Sequence, residues 1–529
     1  MKNTNISLIQ LYGNLQPPDA EPLSIEILSA AALQSFPSLN INMQTLSIKD
    51  SSEYKENIIE IMLTQNPILI GLSIPQSTFD LAIDLLRNIY QNLPDANIIL
   101  GHALPTHSPE MFLQMFPRLI IVRGWGEDSF VQLIDYFLNK SLSLEQIPSL
   151  CFLKDHELHF TPIIWPDKII NPLRWNSHLY FPRVEASRGC QHDICTFCTR
   201  QPRDKKRDHA WSRRPIEQII EDILILKSKG KTSFTFTDED FIGNDLGSAQ
   251  DLAESLSNIR DIQFSLSVRA DNILNPQGTF AENEQRRQLF ELLRKSGLYL
   301  VFIGIESLSN SQLKRYAKGV NADDCIKSVQ VIQNLGIGFE MGYILFDPLM
   351  NPSELIENLD RLDESGLWAN VGSLFHQLRP QKGSNYLRLL IRSEMVKNYN
   401  PNSMLYNYEY SDHLISEIAQ LCSEWYKDIE NIYRLARNME RVGSFNGVYV
   451  YFIFGIRALG FRLLRTLARN RITYCQSIGI QSLASFSEQR LGLVKGLYHS
   501  LLSKSSLTET ESALKKLCSN FILRELGSI

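Results

Sequence analysis

Three of the chain's eight cysteines, Cys190, Cys195 and Cys198, fall inside nine positions of the stretch 187–198, SRGCQHDICTFC. Thiolates are soft metal ligands, and three so close together could do metal chemistry. A structural zinc closes its tetrahedron with four cysteine or histidine ligands. His192, inside the loop, would be the fourth, yet no second paired-ligand knuckle follows it. Three unrelated core thiols fit poorly with a polar, glycine-preceded segment at a predicted strand end. An iron–sulfur cluster takes thiolates as its normal ligands, and a cubane with three protein ligands keeps one iron open for a substrate or cofactor. The spacing alone leaves zinc, core thiols and cluster all standing.

The elements that must position this loop follow from hydrophobic periodicity. Short apolar runs at 6–13, 41–48, 66–74, 96–102 and 118–124 alternate with helix-length stretches such as STFDLAIDLLRNIYQNL. Nearly continuous apolar strands separated by helices predict a doubly wound parallel sheet, with ligands beyond the carboxyl ends of its strands. There the chain places GLSIPQST, GHALPTHS and GWGEDS. A hairpin and a proline-containing connector are expected over 143–175. A second alternating series predicts strands at 181–189, 233–240, 262–269, 298–306, 336–346 and 369–380. Its helices stop at Gly230 and at similar glycines. Six such units imply an incomplete version of the usual eight-fold barrel. GCQHDICTFC, TDED, SVRAD and GIES all fall at the same end of successive units. Past about 396 the pattern becomes helical.

Bulk properties bound the function. A length of 529 residues predicts two or three domains. A net charge of −5 gives no bulk footprint for nucleic acid, so no nucleic-acid partner is expected. The opening MKNTNISLIQ lacks a secretory pattern. The greasiest run, Gly447 to Ile456, is cut by Arg457 at about half the roughly 20 residues a spanning helix needs, so no membrane span is expected. Cys151, Cys325, Cys422, Cys475 and Cys518 are scattered singly and read as reduced core residues. A cytosolic, cytoplasmic location is therefore expected. Arg462, Arg465 and Arg469 on one helical face read as a solvated surface.

The segment SRGCQHDICTFC resembles the cluster-binding loop of the radical S-adenosylmethionine superfamily, with C-x4-C-x2-C where C-x3-C-x2-C is usual. The resemblance implies that Cys190, Cys195 and Cys198 hold a 4Fe–4S cluster whose fourth iron is chelated by S-adenosylmethionine. Phe197 stands at the aromatic position before the third cysteine. FTFTDEDF is similar to the segment that contacts the methionyl amino group, which implies Asp238 and Glu239. SVRADNI would bring Arg269 to the methionyl carboxylate, and the strand ending at Glu306 would bring that carboxylate to the ribose. Phe346 and Asp347 stand where the family often has a glycine–proline turn.

The front of the chain resembles the cobalamin-binding domain of cobalamin-dependent radical enzymes. This implies that Gly71, Ser73, Gly101 and Gly124 let backbone approach the corrin and its nucleotide tail. His102 stands in place of the second glycine of a usual pair, and Trp125 in place of a usual glutamate. His102 and His107 read as loop histidines rather than cobalt ligands.

The combined expectation is an α/β chain in four parts. Residues 1–142 form a flavodoxin-like (Rossmann-type) cobalamin-binding domain and 143–175 a linker. Residues 176–395 form a radical SAM core built as a partial (βα)6 TIM barrel, and 396–529 a helical C-terminal region. The implied activity is reductive cleavage of S-adenosylmethionine to a 5′-deoxyadenosyl radical, followed by C-methylation of an unactivated carbon on a small-molecule or peptide substrate. A flavodoxin- or ferredoxin-type electron donor is implied. Radical ring contraction, cyclisation or dehydrogenation is the alternative within enzymology. A methylthiotransferase acting on nucleic acid and a non-catalytic cobalamin or cluster sensor are the alternatives of other classes. No residue is assigned to acid–base catalysis.

Overall fold

A computed structural model describes residues 4–14, 20–165, 169–175, 177–199, 211–441, 447–473 and 480–527. Cys475 lies outside them. Two compact units divide the chain: Met1–Val268 with Thr279–Val301 and Arg379–Asn407, and Arg269–Gly278 with Phe302–Leu378 and Tyr408–Ile529.

The front sheet contains β1 (Asn5–Tyr12), β2 (Asn40–Ser47), β3 (Leu69–Ser73), β4 (Ile98–Gly101), β5 (Ile120–Val122), β6 (Leu150–Lys154) and β7 (Glu157–Phe160), in the order β2-β1-β3-β4-β5-β6-β7. The first five are parallel, and their order is the flavodoxin-like one, with its switch point between β1 and β3. The expected hairpin, β6 and β7, continues this sheet antiparallel at the β5 edge. Both faces are covered in the middle of the sheet, which is why β1, β3, β4 and β5 are buried along nearly their whole length. Ile9, Leu11, Ile70 and Leu72 pack against Ile58, Met62, Leu86 and Ile89 of the helices Ser52–Gln65 and Phe79–Asn92. Ile6, Leu8, Leu69 and Ile99 pack the other way against Ile25, Phe130 and Leu133 of the helices Leu23–Ser35 and Glu127–Asn139. The two-residue period of a strand makes that division.

The second series begins with β8 (Arg183–Val184) and β9 (Ser187–Gly189). There follow β10 (Trp211–Arg213), β11 (Ser233–Phe236), β12 (Gln263–Arg269), β13 (Leu298–Glu306) and β14 (Gly338–Tyr343). Five of them form a sheet in the order β14-β13-β12-β11-β8. The helices stop as expected: Gly230, Gly297 and Gly336 follow them at φ 77°, 114° and 66°. At Gly297 a side chain would meet the Ile262 carbonyl at 2.1 Å.

Two expected strands differ. The run 181–189 is two short strands, because Glu185 and Ala186 bond elsewhere: Arg214 donates from its backbone to the Ala186 carbonyl and from Nη1 to that of Glu185, both at 2.9 Å. The run 369–380 makes only isolated parallel bridges, Met341 to Val371 and Phe346 to Gln377. Its Gly372 carbonyl accepts from Arg437 Nη1 at 2.9 Å instead of entering a ladder.

The region past 396, expected to be helical, opens with a hairpin of β15 (Val396–Asn400) and β16 (Leu405–Tyr408), with Tyr399 and Tyr406 in ring contact at 4.8 Å. Helices follow. The one over Gly447–Ala468 runs through Arg457, whose guanidinium is satisfied inside the second unit by the Tyr433 hydroxyl and the Ala369 carbonyl. With its continuation to Thr473 it is long and apolar enough to cross a membrane by length and composition, and half of its apolar window is buried. Core helices of globular proteins pass the same test. Arg462 and Arg469 are exposed, as expected, and the half-buried Arg465 pairs with the exposed Asp363.

Candidate active site

The cysteine loop is rooted on β9, which pairs antiparallel with β10. Gly189 turns the chain at φ 88° and Cys190 follows. Within the loop the Asp193 amide donates to the Cys190 carbonyl at 3.2 Å, and the Cys198 amide to the Cys195 carbonyl at 3.3 Å. Cys195 is buried, while Cys190 and Cys198 are half-buried. Phe197 lies between the second and third thiols and is also half-buried. Among the described residues no group of three or more histidine, cysteine or carboxylate side chains stands close enough to hold a single metal ion. Each thiolate of a cubane binds a different iron, so a donor set of three thiols spread along one loop fits a cluster. Four other cysteines are buried singly, as expected. Burial pushes Cys151 up to about 11, Cys325 and Cys518 up to about 12, and Cys422 higher still.

Asp238 lies under the root of the loop. Its Oδ1 accepts from the Ser187 hydroxyl and its Oδ2 from the Ala186 amide at 3.2 Å. Burial pushes its pKa up to about 7, against the pull of Arg213 and the hydrogen bond from Ser187. Glu239, half-buried, accepts from the Gly189 amide at 3.3 Å. The two neighbouring carboxylates therefore hold the strand on which the first cysteine hangs.

Arg188, two residues before Cys190, ties that strand to the front sheet. Its Nε and Nη2 grip the two oxygens of Glu185 at 2.8 and 2.9 Å, and Nη2 also meets Glu127 at 2.6 Å. Its guanidinium lies 4.3 Å from the centre of the Trp125 ring, which in turn contacts Trp165. Trp125 belongs to the turn after β5 and Glu127 opens the helix that follows it, so the tryptophan that departs from the expected glutamate has a defined partner.

The segment 379–407 makes a second tie, one that sequence reasoning missed. The Tyr386 amide donates to the Thr196 carbonyl at 2.8 Å, and Gln381 meets the Thr199 hydroxyl. The same segment pairs Lys382 with Glu110, Tyr399 with Ser108 at 3.0 Å, and Ser403 with Gln76. Its partners lie up to 327 residues away, and the sole local signal that could have shown it is the alternation of tyrosines in the β15–β16 hairpin.

At the carboxyl ends of the front strands, Ser73 is buried and contacts the Ser24 hydroxyl at 3.2 Å, which donates to Gln10 at 2.7 Å. Gly124 is exposed and turns at φ 77°. A side chain at Gly101 would meet nothing closer than the Val122 carbonyl at 4.0 Å, whereas one at Gly71 would strike Leu8 at 2.5 Å. Gly71 therefore serves close strand packing. His102 follows β4 at φ 79° and ψ −173°, a region nearly confined to glycine that costs about 1–3 kcal/mol. Burial pushes His107 below its ordinary value, and its ring hydrogen-bonds to the backbone of Thr199.

A buried ion cluster completes the first unit. Arg174, fully buried, pairs with Glu21 at 2.6 Å and doubly with Asp222 at 2.7 and 2.6 Å, and Arg214 lies 3.4 Å from Asp222. These two cations and two carboxylates balance. Glu26, also fully buried, is the odd carboxyl out: burial, then the charge of Glu21, pushes it up to about 8.

In the second unit Arg269 donates to Asp271 at 2.7 Å and to the Lys318 carbonyl at 3.0 Å. Lys318 pairs with Glu306 at 3.3 Å. Glu306 ends β13 at φ 71°, and side chains at Gly304 and Gly342 would meet its carboxylate at 3.0 and 3.6 Å. Arg269 and Glu306 thus share one lysine as neighbour. Phe346 and Asp347 are buried, and Asp347 accepts from Gln312, Arg315 and Tyr316, a packing role.

The model of the Radical SAM superfamily matches residues 184–368, which run from β8 past β14 and through the helix Pro352–Glu364. The 4'-phospho-dehydrooxetanocin synthase of Priestia megaterium is 27% identical over 405 residues, covering 68% of this chain and 53% of that protein. The cytidylyl-2-hydroxyethylphosphonate methyltransferase of Streptomyces wedmorensis is 27% identical over 265 residues, 46% of this chain and 45% of that one. The chain spans about half the length of these curated relatives. Among solved structures, the cobalamin-dependent S-adenosylmethionine radical enzyme OxsB, with aqua-cobalamin and S-adenosylmethionine bound, superposes with a TM-score of 0.80. It is 21% identical, and the match covers 99% of this chain and 80% of that one. The radical S-adenosylmethionine methyltransferase TsrM of Kitasatospora setae gives 0.58 at 13% identity, covering 74% and 75%. Residues 184–368 thus match the Radical SAM superfamily model, within a chain whose fold is similar to that of solved cobalamin-dependent radical S-adenosylmethionine enzymes.

Proposed function

We propose that this chain is a cobalamin-dependent radical S-adenosylmethionine enzyme that methylates an unactivated carbon of a small-molecule or peptide substrate. The observation that carries the reading is the direct tie, through Arg188, from the strand entering the cysteine loop to Trp125 in the turn after β5 and to Glu127 at the start of the next helix. When bound, the cluster and S-adenosylmethionine supply a 5′-deoxyadenosyl radical and the corrin supplies a methyl carrier. The protein's own part is positional. Cys190, Cys195 and Cys198 hold the cluster, with Phe197 beside them, and Asp238 and Glu239 fix the strand before it. Glu239 and Arg269 face the methionyl amino and carboxylate groups, and Glu306 faces the ribose. Ser73, Gly101 and Gly124 form the floor for the corrin, and Gly71 lets β3 pack closely enough to place them. A one-electron donor of the flavodoxin or ferredoxin type and a reducing compartment belong to the same reading, the latter supported by the buried single thiols.

A second reading, radical chemistry without methyl transfer, is favoured by the synthase named above, which matches more of this chain than the methyltransferase does. Anaerobic assays with methyl-labelled S-adenosylmethionine and a strong reductant test both. Formation of 5′-deoxyadenosine with label in product supports methylation. Its formation with unlabelled product supports the second reading. Wild-type protein that yields no more 5′-deoxyadenosine than a Cys195→Ala variant contradicts both.

A further inference from the structure

His102 occupies a backbone conformation that glycine would adopt without strain, and its ring has one nitrogen already in use. The Ala103 amide donates to Nδ1 at 2.7 Å. That bond places the lone pair on Nδ1 and the ring proton on Nε2. The side chain is open to solvent, yet protein crowds around it, and that crowding followed by the charge of Arg183 pushes its pKa down to about 4. While Nδ1 accepts that amide it carries no proton, so the ring is neutral. Its position is the carboxyl end of β4 in a parallel sheet, where ligands of this fold class sit. A strained residue at such a place points to a ligand contact that a relaxed glycine would not make.

We propose that His102 is a neutral Nε2–H hydrogen-bond donor to an acceptor oxygen of the bound corrin ligand, and not a cobalt ligand. The inference rests on the cobalamin reading of the front domain and deepens it. Ligation through Nε2 needs the lone pair there and the proton on Nδ1. That proton would then face the Ala103 N–H across 2.7 Å, donor against donor.

The test uses the full chain, purified anaerobically, with hydroxocobalamin as the probe. His102→Gly removes donor and strain together, in a conformation glycine tolerates, so folding is not at risk there. His102→Ala removes the donor and keeps the strain. Both variants are expected to bind hydroxocobalamin about tenfold more weakly than wild type. The cobalamin-free Gly variant is expected to melt a few degrees above the Ala variant. The EPR spectrum of bound cob(II)alamin is expected to be unchanged by 15N-histidine labelling. Splitting that responds to the label, or wild-type affinity in both variants, overturns the role given to His102. Equal melting of the two variants overturns the strain on which it rests. A wild-type chain that binds no corrin overturns the cobalamin reading itself, which is a distinguishable result.

Discussion

Arg188 lies with its guanidinium carbon 4.3 Å from the centre of the Trp125 ring, so the residue two places before the first cysteine of the loop stacks on the turn after β5. The same guanidinium is shared between the buried Glu127 and the half-buried Glu185. Removing it leaves two carboxylates without a counter-charge. Arg188→Ala is expected to lose about 3–5 kcal/mol of stability, measured by guanidinium unfolding. Arg188→Lys, which keeps the charge but not the fork, should fall between. An unchanged unfolding midpoint in Arg188→Ala would show that the tie has no energetic role.

Trp125 supplies an aromatic face where another carboxylate would crowd a single guanidinium. Trp125→Glu is expected to cost about 2 kcal/mol or more, and Trp125→Phe less, since phenylalanine keeps a weaker face for the cation. Paired chemical denaturation curves check the order, and a glutamate variant as stable as the phenylalanine one contradicts it.

Glu26 predicts a pH dependence. Its folded pKa, about 8, lies above its ordinary 4.5, so the folded chain keeps a proton that the unfolded chain has released. That contribution is fully present below about pH 4.5 and is lost as pH rises through about 8. The wild-type melting temperature should therefore fall more between pH 6 and pH 9 than that of Glu26→Gln, which carries no titrating proton. Parallel slopes for the two proteins would place the ionisation elsewhere.

Arg269 and Glu306 predict ligand effects rather than stability effects. Arg269→Lys and Glu306→Gln are each expected to weaken S-adenosylmethionine binding to the reconstituted chain by roughly tenfold to a hundredfold. Equilibrium dialysis reads the loss, with melting temperature as the control. Wild-type affinity in both variants removes them from the cofactor site.

Local pattern and distant pairing divide what the sequence reveals. β1, β3, β4 and β5 were legible as nearly continuous apolar runs, and the edge strand β2, part-exposed at most positions, by its place in the alternation of strands and helices. The cysteine loop was legible because three thiols cluster in sequence. The break between β8 and β9 was not, since it depends on Asp238 and Arg214 taking backbone groups across tens of residues. The strap over 379–407 was hidden for the same reason: its partners Gln76, Ser108 and Glu110 are hundreds of positions away. Asp238 was noticed for its charge, but only burial reveals that its oxygens face the strand beneath the loop. The continuation of the Gly447–Ala468 helix past Arg457 needed Tyr433 and Ala369 to absorb the charge.

The most direct test of a three-thiol cluster with one open iron is metal and sulfide analysis of the anaerobically reconstituted chain, combined with EPR of the reduced protein before and after adding S-adenosylmethionine. About four iron and four sulfide per chain are predicted, with a spectrum that changes when the sulfonium compound binds and that Cys195→Ala lacks. Bound zinc in place of iron, or a full cluster spectrum indifferent to both the ligand and that substitution, would contradict the account.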